Sequence, residues 1–214
     1  MIDQLHYISN AIDSLSTLNA ISDVLNAGGK WIQLRMKHAA VEEILETGVK
    51  ALQLCNEYGA RLIVNDHPEV ARQIAAHGVH LGLADMPVPE ARALLGPDMI
   101  IGGTANTIED IGRRAAEKVD YIGLGPYRFT DTKQNLSPIL GLGGYENVMQ
   151  QMRDEGITIP VIAIGGIMPA DIPQLMSAGV HGIAVSSALT GAGDLRSRLA
   201  EMNELIKSFK PVLQ

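Results

Sequence analysis

The sequence has one cysteine, Cys55, among 214 residues. A lone cysteine excludes an intramolecular disulfide and a structural cysteine–zinc cluster. It lies in an apolar helical pattern with Ala51, Leu52 and Leu54 and reads as core filler rather than as a nucleophile. Aromatic residues are scarce, at 4%, which argues against ring stacking as a broad theme. No apolar run approaches the roughly 18 residues that a membrane-spanning helix needs. The first residues, Met-Ile-Asp-Gln-Leu, show no basic-then-apolar targeting pattern, so a cytoplasmic location is expected. Basic charge is also in deficit, with 17 Lys and Arg against 24 Asp and Glu and a net charge of −7. That balance argues against nucleic-acid and anionic-membrane partners, which select for net basic surface. A local basic pocket for a small anion remains open. No Gly-x-Gly-x-x-Gly follows the first apolar run, which removes the usual mark of a dinucleotide half-fold.

Hydrophobic residues are plentiful, at 46%, enough for a large core in a chain that buries roughly 70% of its unfolded surface. They are arranged with a beat. Short apolar runs occur at Leu5–Ser9, Trp31–Leu34, Arg61–Val64, Val79–Leu81, Met99–Gly102, Tyr121–Leu124, Pro160–Ile164 and Gly182–Val185. Between them lie amphipathic stretches near Leu15–Ala27, Val41–Tyr58, Pro68–Ala76, Pro89–Leu95, Thr107–Lys118, Tyr145–Glu155, Pro169–Ala178 and Leu195–Phe209. Strict strand–helix alternation means parallel strands with crossover helices. Parallel strands are buried on both faces and read as unbroken apolar runs, as Leu62-Ile63-Val64 does. Glycines such as Gly28-Gly29, Gly59 and Gly179 close several helices before the next strand. About eight such units predict an α/β fold of the (β/α)8 TIM-barrel type, with residues 1–214 forming a single domain.

In such a barrel the chemistry sits where the strands exit at their C-terminal ends. The second exit reads Gln33-Leu-Arg35-Met-Lys37. Alternate residues of a strand share a face, so these three side chains are expected to converge as an anion site, with Arg35 able to grip two oxygens at once. The third exit gives Asn65-Asp66, and the fourth gives His80-Leu-Gly82 followed by Asp85. Two carboxylates beside a cationic cluster suit Mg²⁺, which takes one or two carboxylates and keeps substrate phosphates and waters. Both also precede proline-containing helix starts, where Asp serves as a cap, so that reading stays open. The fifth exit carries Thr104, with Thr107 an apt cap for the next helix. The sixth opens a long polar stretch through Thr130, Asp131, Thr132 and Lys133 to about Gly144, of a length typical of catalytic lids. The seventh ends in Gly165-Gly166 and the eighth in Ser186-Ser187. Glycine lets backbone N–H groups approach a phosphate, and barrels often bind phosphate after these two strands. His6, His38, His77 and His181 read as structural.

The ordered set Gln33-Leu-Arg-x-Lys37, Val64-Asn-Asp66, Val79-His-Leu-Gly82 with Asp85, Gly123-Leu-Gly-Pro126, Thr130-x-Thr-Lys133, Ile164-Gly-Gly-Ile167 and Val185-Ser-Ser187 resembles the thiamine-phosphate synthase family over nearly the whole chain. The resemblance implies a transferase that joins 4-amino-2-methyl-5-(diphosphooxymethyl)pyrimidine to a thiazole phosphate, releasing pyrophosphate, and CO2 from a carboxylated thiazole. It implies that Gln33, Arg35, Lys37, Asn65, Thr104 and Lys133 hold the diphosphate substrate, with Arg35, Lys37 and Lys133 stabilising the leaving group. It implies Mg²⁺ on Asp66 and Asp85. Thr130, Asp131, Thr132, Gly165, Gly166, Ser186 and Ser187 would hold the thiazole phosphate, and His80 would line the pyrimidine pocket. Leu83 departs from the family, where a polar residue is frequent, and Asp131 places a carboxylate inside the phosphate loop. The partners expected are small molecules, with homo-oligomer formation possible. The rival readings are a thiazole tautomerase of the same superfamily, a sugar-phosphate isomerase or epimerase, and a non-catalytic phosphate-ligand sensor. The tautomerase is disfavoured by Gly125-Pro126-Tyr127, which lacks the histidine that its chemistry uses.

Overall fold

Eight short runs rich in Val, Ile and Leu become eight parallel strands. They are β1 Leu5–Ile8, β2 Trp31–Leu34, β3 Arg61–Asn65, β4 Gly78–Leu81, β5 Ile100–Ala105, β6 Tyr121–Leu124, β7 Val161–Ile164 and β8 Gly182–Val185. Each pairs with its sequence neighbour, and β8 pairs with β1, so the sheet closes into a barrel. Closure removes the exposed edges that an open sheet must protect. The computed structural model describes residues 1–129 and 138–209.

The helices form the outer ring: α1 Ser14–Asn26, α2 Val41–Glu57, α3 Pro68–Gln73, α4 Val88–Leu95, α5 Ile108–Ala116, α6 Gly141–Asp154, α7 Ile172–Ala178, α8 Ser187–Thr190 and α9 Leu195–Ser208. A 3-10 turn, Pro169–Asp171, leads into α7. Local side chains start several of them. Asp13, Thr107 and Asp194 each accept a backbone N–H from the first turn of α1, α5 and α9. Such caps stabilise a helix by about 1 kcal/mol each. Among the described residues, no helix is long and apolar enough to cross a membrane.

Two cores result. The larger lies between strands and helices, and Cys55 is fully buried within it. The smaller fills the barrel itself and is built on Ile8, Trp31, Ile63, Tyr121, Ile162 and Ala184. Two of the few aromatics, Trp31 and Tyr121, lie there. His6 stacks on Trp31 with ring centroids 4.3 Å apart, and Tyr121 meets both edge-on. Ring stacking is thus a theme of the barrel interior despite the low aromatic content. Burial holds the His6 imidazole far below its ordinary range, at a pKa of about 3.

Most boundaries shift from expectation by only a residue or two, and three differences have a clear physical reason. The fifth strand runs to Ala105 rather than stopping at Gly102. Gly102 and Gly103 carry little strand signal, but ladders to β4 and β6 on both sides impose it. The sixth helix starts at Gly141, before the expected Tyr145. Gly143 and Gly144 read as breakers, yet the Gly144 N–H donates to the Leu140 carbonyl at 3.0 Å, and a Cβ at 144 would crowd the Leu140 side chain. The short α8 follows β8 directly and was not expected, since four residues are too few to show a helical period.

Candidate active site

All eight strands run the same way, so their exits meet at one rim. β2 ends its ladder at Leu34, and Arg35 and Lys37 lie beyond the strand. The expectation that strand alternation alone aims them is therefore corrected. Ser9 takes over where the ladder stops. Its hydroxyl accepts from the Arg35 N–H at 2.8 Å and donates to the Arg35 carbonyl at 3.1 Å. Met36 is buried while Arg35 is half-buried and Lys37 exposed, so the in–out pattern persists one turn past the strand. Lower in the barrel mouth, the Gln33 amide donates to Asn65 Oδ1 at 2.7 Å, which links the exits of β2 and β3.

Asp66 follows Asn65 with φ of +66°, a left-handed conformation that is uncommon outside glycine. Strain of this kind costs on the order of 1–3 kcal/mol and tends to collect at functional sites. Its N–H is tied to the His80 carbonyl at 2.9 Å. Neither Asp66 nor Asp85 caps a helix. The cap positions of α3 and α4 are His67 and Pro87, without side-chain bonds. Asp85 instead accepts from the Gly82 N–H at 2.5 Å, in a turn where any Cβ on residue 82 would stand 2.7 Å from that carboxylate.

The two carboxyls are near enough to influence each other's charge. Burial, then the Asp85 carboxyl beside it, raises the Asp66 pKa well above the ordinary carboxylate range, while Arg35 pulls it back down. Like charges held this close disfavour double ionisation unless a cation sits between them. Among the described residues no cluster of three or more His, Cys, Asp or Glu is suited to a metal. The donor set is thus two carboxylates beside an arginine, the kind that suits a hard divalent ion completing its shell with phosphate and water.

His80 lies just under the rim. Its ring is bonded to the Tyr121 hydroxyl and to Thr104 Oγ1, both at 3.1 Å. Tyr121 was not singled out by the sequence. Its only signal was its place at the start of an apolar run, which does not reveal that the ring fills the barrel beneath His80. Asn106, also not foreseen, is buried and donates to the Gly125 carbonyl. It closes the gap between the exits of β5 and β6.

On the opposite side, Gly165 and Gly166 take φ of +104° and +67°. Each lies against the sixth-strand exit, where a Cβ would stand 2.7 Å from Pro126 and 2.5 Å from Arg128, respectively. Arg128 donates to the Gly166 carbonyl at 3.0 Å and pairs with Asp171 at 2.6 Å. Ser186 carries a buried hydroxyl with no hydrogen-bond partner among the described residues, and Ser187 opens α8. An orphaned donor beside a glycine-rich turn suits an anionic oxygen. Thr130, Asp131, Thr132 and Lys133 lie outside the described residues.

The fold and rim define a TIM-barrel enzyme with an arginine-flanked carboxylate pair on one side and a glycine–serine anion cradle on the other. Residues 5–189 match the family model for thiamine monophosphate synthase. A thiamine-phosphate synthase of Bacteroides fragilis is 50% identical over 190 residues, covering 89% of this chain and 93% of that protein. One from Bacteroides thetaiotaomicron is 44% identical over 206 residues, covering 95% and 99%. A solved thiamine phosphate pyrophosphorylase from Pyrococcus furiosus superposes with a TM-score of 0.82 at 32% identity, over 96% of both chains. A solved 3-hexulose-6-phosphate synthase, at 13% identity and TM-score 0.68, shares the fold alone. The chain belongs to the thiamine monophosphate synthase family and is a transferase of thiamine biosynthesis.

Proposed function

We propose that the chain is a Mg²⁺-dependent thiamine-phosphate synthase that couples the aminopyrimidine diphosphate to thiazole phosphate or its carboxylate. The reading is carried by the Asp66–Asp85 pair beside Arg35, in a chain of this family. When bound, the ion would neutralise charge on the departing pyrophosphate. Arg35 and Lys37, with Lys133 from beyond the described residues, would hold the same oxygens. Arg35 enters with its backbone already fixed by Ser9, which lowers the ordering needed on binding.

Among the described residues the rim offers no activated nucleophile, and the reaction we infer needs none. The carbon–oxygen bond to pyrophosphate breaks first, leaving a pyrimidine cation stabilised by its own amino group. The thiazole nitrogen then forms the new carbon–nitrogen bond, and a carboxylated thiazole loses CO2. Thr104 would meet the pyrimidine, held in direction by His80 and Tyr121 behind it. Gly165, Gly166, Ser186 and Ser187 would take the thiazole phosphate on the far side of the mouth, completed by Thr130, Asp131 and Thr132.

The test mixes purified protein with both substrates and Mg²⁺. The reading expects thiamine phosphate and pyrophosphate in equal amounts. It expects Arg35→Ala and Asp66→Ala to cut turnover at least about a hundredfold, the scale of lost leaving-group stabilisation, with thermal midpoints within a few degrees of wild type. Isomerised thiazole without thiamine phosphate would instead make the chain a tautomerase. Stabilisation by a pentose phosphate alone would point to a sugar-phosphate enzyme, and ligand binding without turnover to a sensor.

A further inference from the structure

Arg114 lies on α5, in the outer ring, and no step above uses it. Its side chain is almost fully buried, at 3% exposure. A buried guanidinium has a high desolvation cost and persists only where its donors are met. Here they are met in an unusual way. Nε donates to the Thr104 carbonyl at 3.1 Å, Nη2 to the Gly82 carbonyl at 2.8 Å, and Nη1 to Glu117 at 2.9 Å. One side chain therefore grips the exits of β4 and β5 at once, with Glu117 supplying the counter-charge. Gly103 makes room for it, since a Cβ there would stand 2.9 Å from both Cδ and Nε of Arg114.

Each gripped residue is one bond from the rim. Gly82 holds the Asp85 carboxylate through its N–H. Thr104 holds the His80 ring through its hydroxyl, and the His80 carbonyl holds the Asp66 N–H. Asp85, Asp66 and Thr104 thus share a single brace. The Gly165–Gly166 side of the mouth has its own brace, Arg128 with Asp171, and among the described residues Arg114 bonds only Gly82, Thr104 and Glu117.

We propose that Arg114 is a positioning residue for the metal and pyrimidine-diphosphate half of the site, setting the spacing of the β4 and β5 exits from behind. The inference rests on the assignment of Asp66 and Asp85 to a divalent ion. Lysine cannot replace arginine here, because one ammonium nitrogen cannot span two carbonyls and a carboxylate as a planar fork does.

The test compares wild type with Arg114→Lys, the paired variant Arg114→Met/Glu117→Gln, which leaves no lone buried charge, and Gly103→Ala, which pushes on the clamp while keeping it. Mn²⁺ binding is followed by electron paramagnetic resonance in the absence of substrates, and KM is measured for each substrate at a temperature where every variant is folded. We expect the Mn²⁺ Kd and the pyrimidine-diphosphate KM to rise about tenfold in the paired variant, the equivalent of roughly 1.4 kcal/mol. The rise should be smaller in Arg114→Lys and Gly103→Ala, with the thiazole-phosphate KM within twofold throughout. If the paired variant does not fold, Gly103→Ala alone must show the split. Lower thermal midpoints with all three constants unchanged, or both KM values rising together, would overturn the proposal. Wild-type protein that binds no Mn²⁺ would overturn the metal assignment itself, a result distinct from variants that bind it as wild type does.

Discussion

Gly102→Ala is a one-carbon change inside the barrel, and its cost follows from what surrounds it. A Cβ on residue 102 would stand 2.2 Å from Tyr121 Cζ and 2.5 Å from its hydroxyl oxygen. Side chains that clash at a free end usually swing away. Tyr121 cannot, because its ring is 1% exposed and wedged against Trp31 and His6. The added methyl must displace a packed column, which costs about 1–3 kcal/mol. For a chain of this size each kcal/mol lowers the thermal midpoint by about 2–4 °C, so a fall of about 2–12 °C is expected. Moving the Tyr121 hydroxyl also disturbs the bond to His80, so turnover should fall with stability. A double-mutant cycle isolates the clash. Tyr121→Leu opens space beside position 102, and in that background Gly102→Ala should cost at least about 1 kcal/mol less in urea unfolding. An equal cost in both backgrounds would refute the argument, because the penalty would then come from the strand backbone and not from the ring.

Other outcomes follow from the same packing. Gly166→Ala adds a Cβ 2.5 Å from Arg128 Cγ at φ of +67°, with about 1–2 kcal/mol of left-handed strain. The thiazole-phosphate KM should rise severalfold while the pyrimidine-diphosphate KM holds, as initial rates against each substrate would show. His6, bonded to the Asp3 carbonyl and held at a pKa of about 3, binds fewer protons folded than unfolded between about pH 3 and its free value of 6.5. Stability therefore rises with pH across that window and is lost on acidification. His6→Phe should flatten this slope in urea titrations at pH 4.5 and 7.5 (assay conditions chosen as about two units below and one above the free value), and an unchanged slope would remove His6 from the account.

The architecture was legible because its signal is local and repeated. Parallel strands buried on both faces write themselves as Leu62-Ile63-Val64 and Val161-Ile162-Ala163-Ile164, and eight of them leave little choice but closure. The rim was legible in part for the same reason, since strand exits are found once the strands are. What stayed hidden depends on partners far along the chain. Ser9 looks like a turn former until Arg35, 26 residues on, takes both hydrogen bonds of its hydroxyl. Arg114 looks like one charge on an amphipathic helix until Gly82 and Thr104 lie across its guanidinium. Asp66 and Asp85 each look like helix caps, and only their meeting, which raises the proton affinity of Asp66, makes the pair a candidate for a cation. Periodicity shows which way a side chain faces, but not which carbonyl waits there. Residues proposed to touch substrate sit at exits and can be guessed from type. Residues that hold those exits apart sit in the outer ring, where nothing in their type distinguishes them from surface charge.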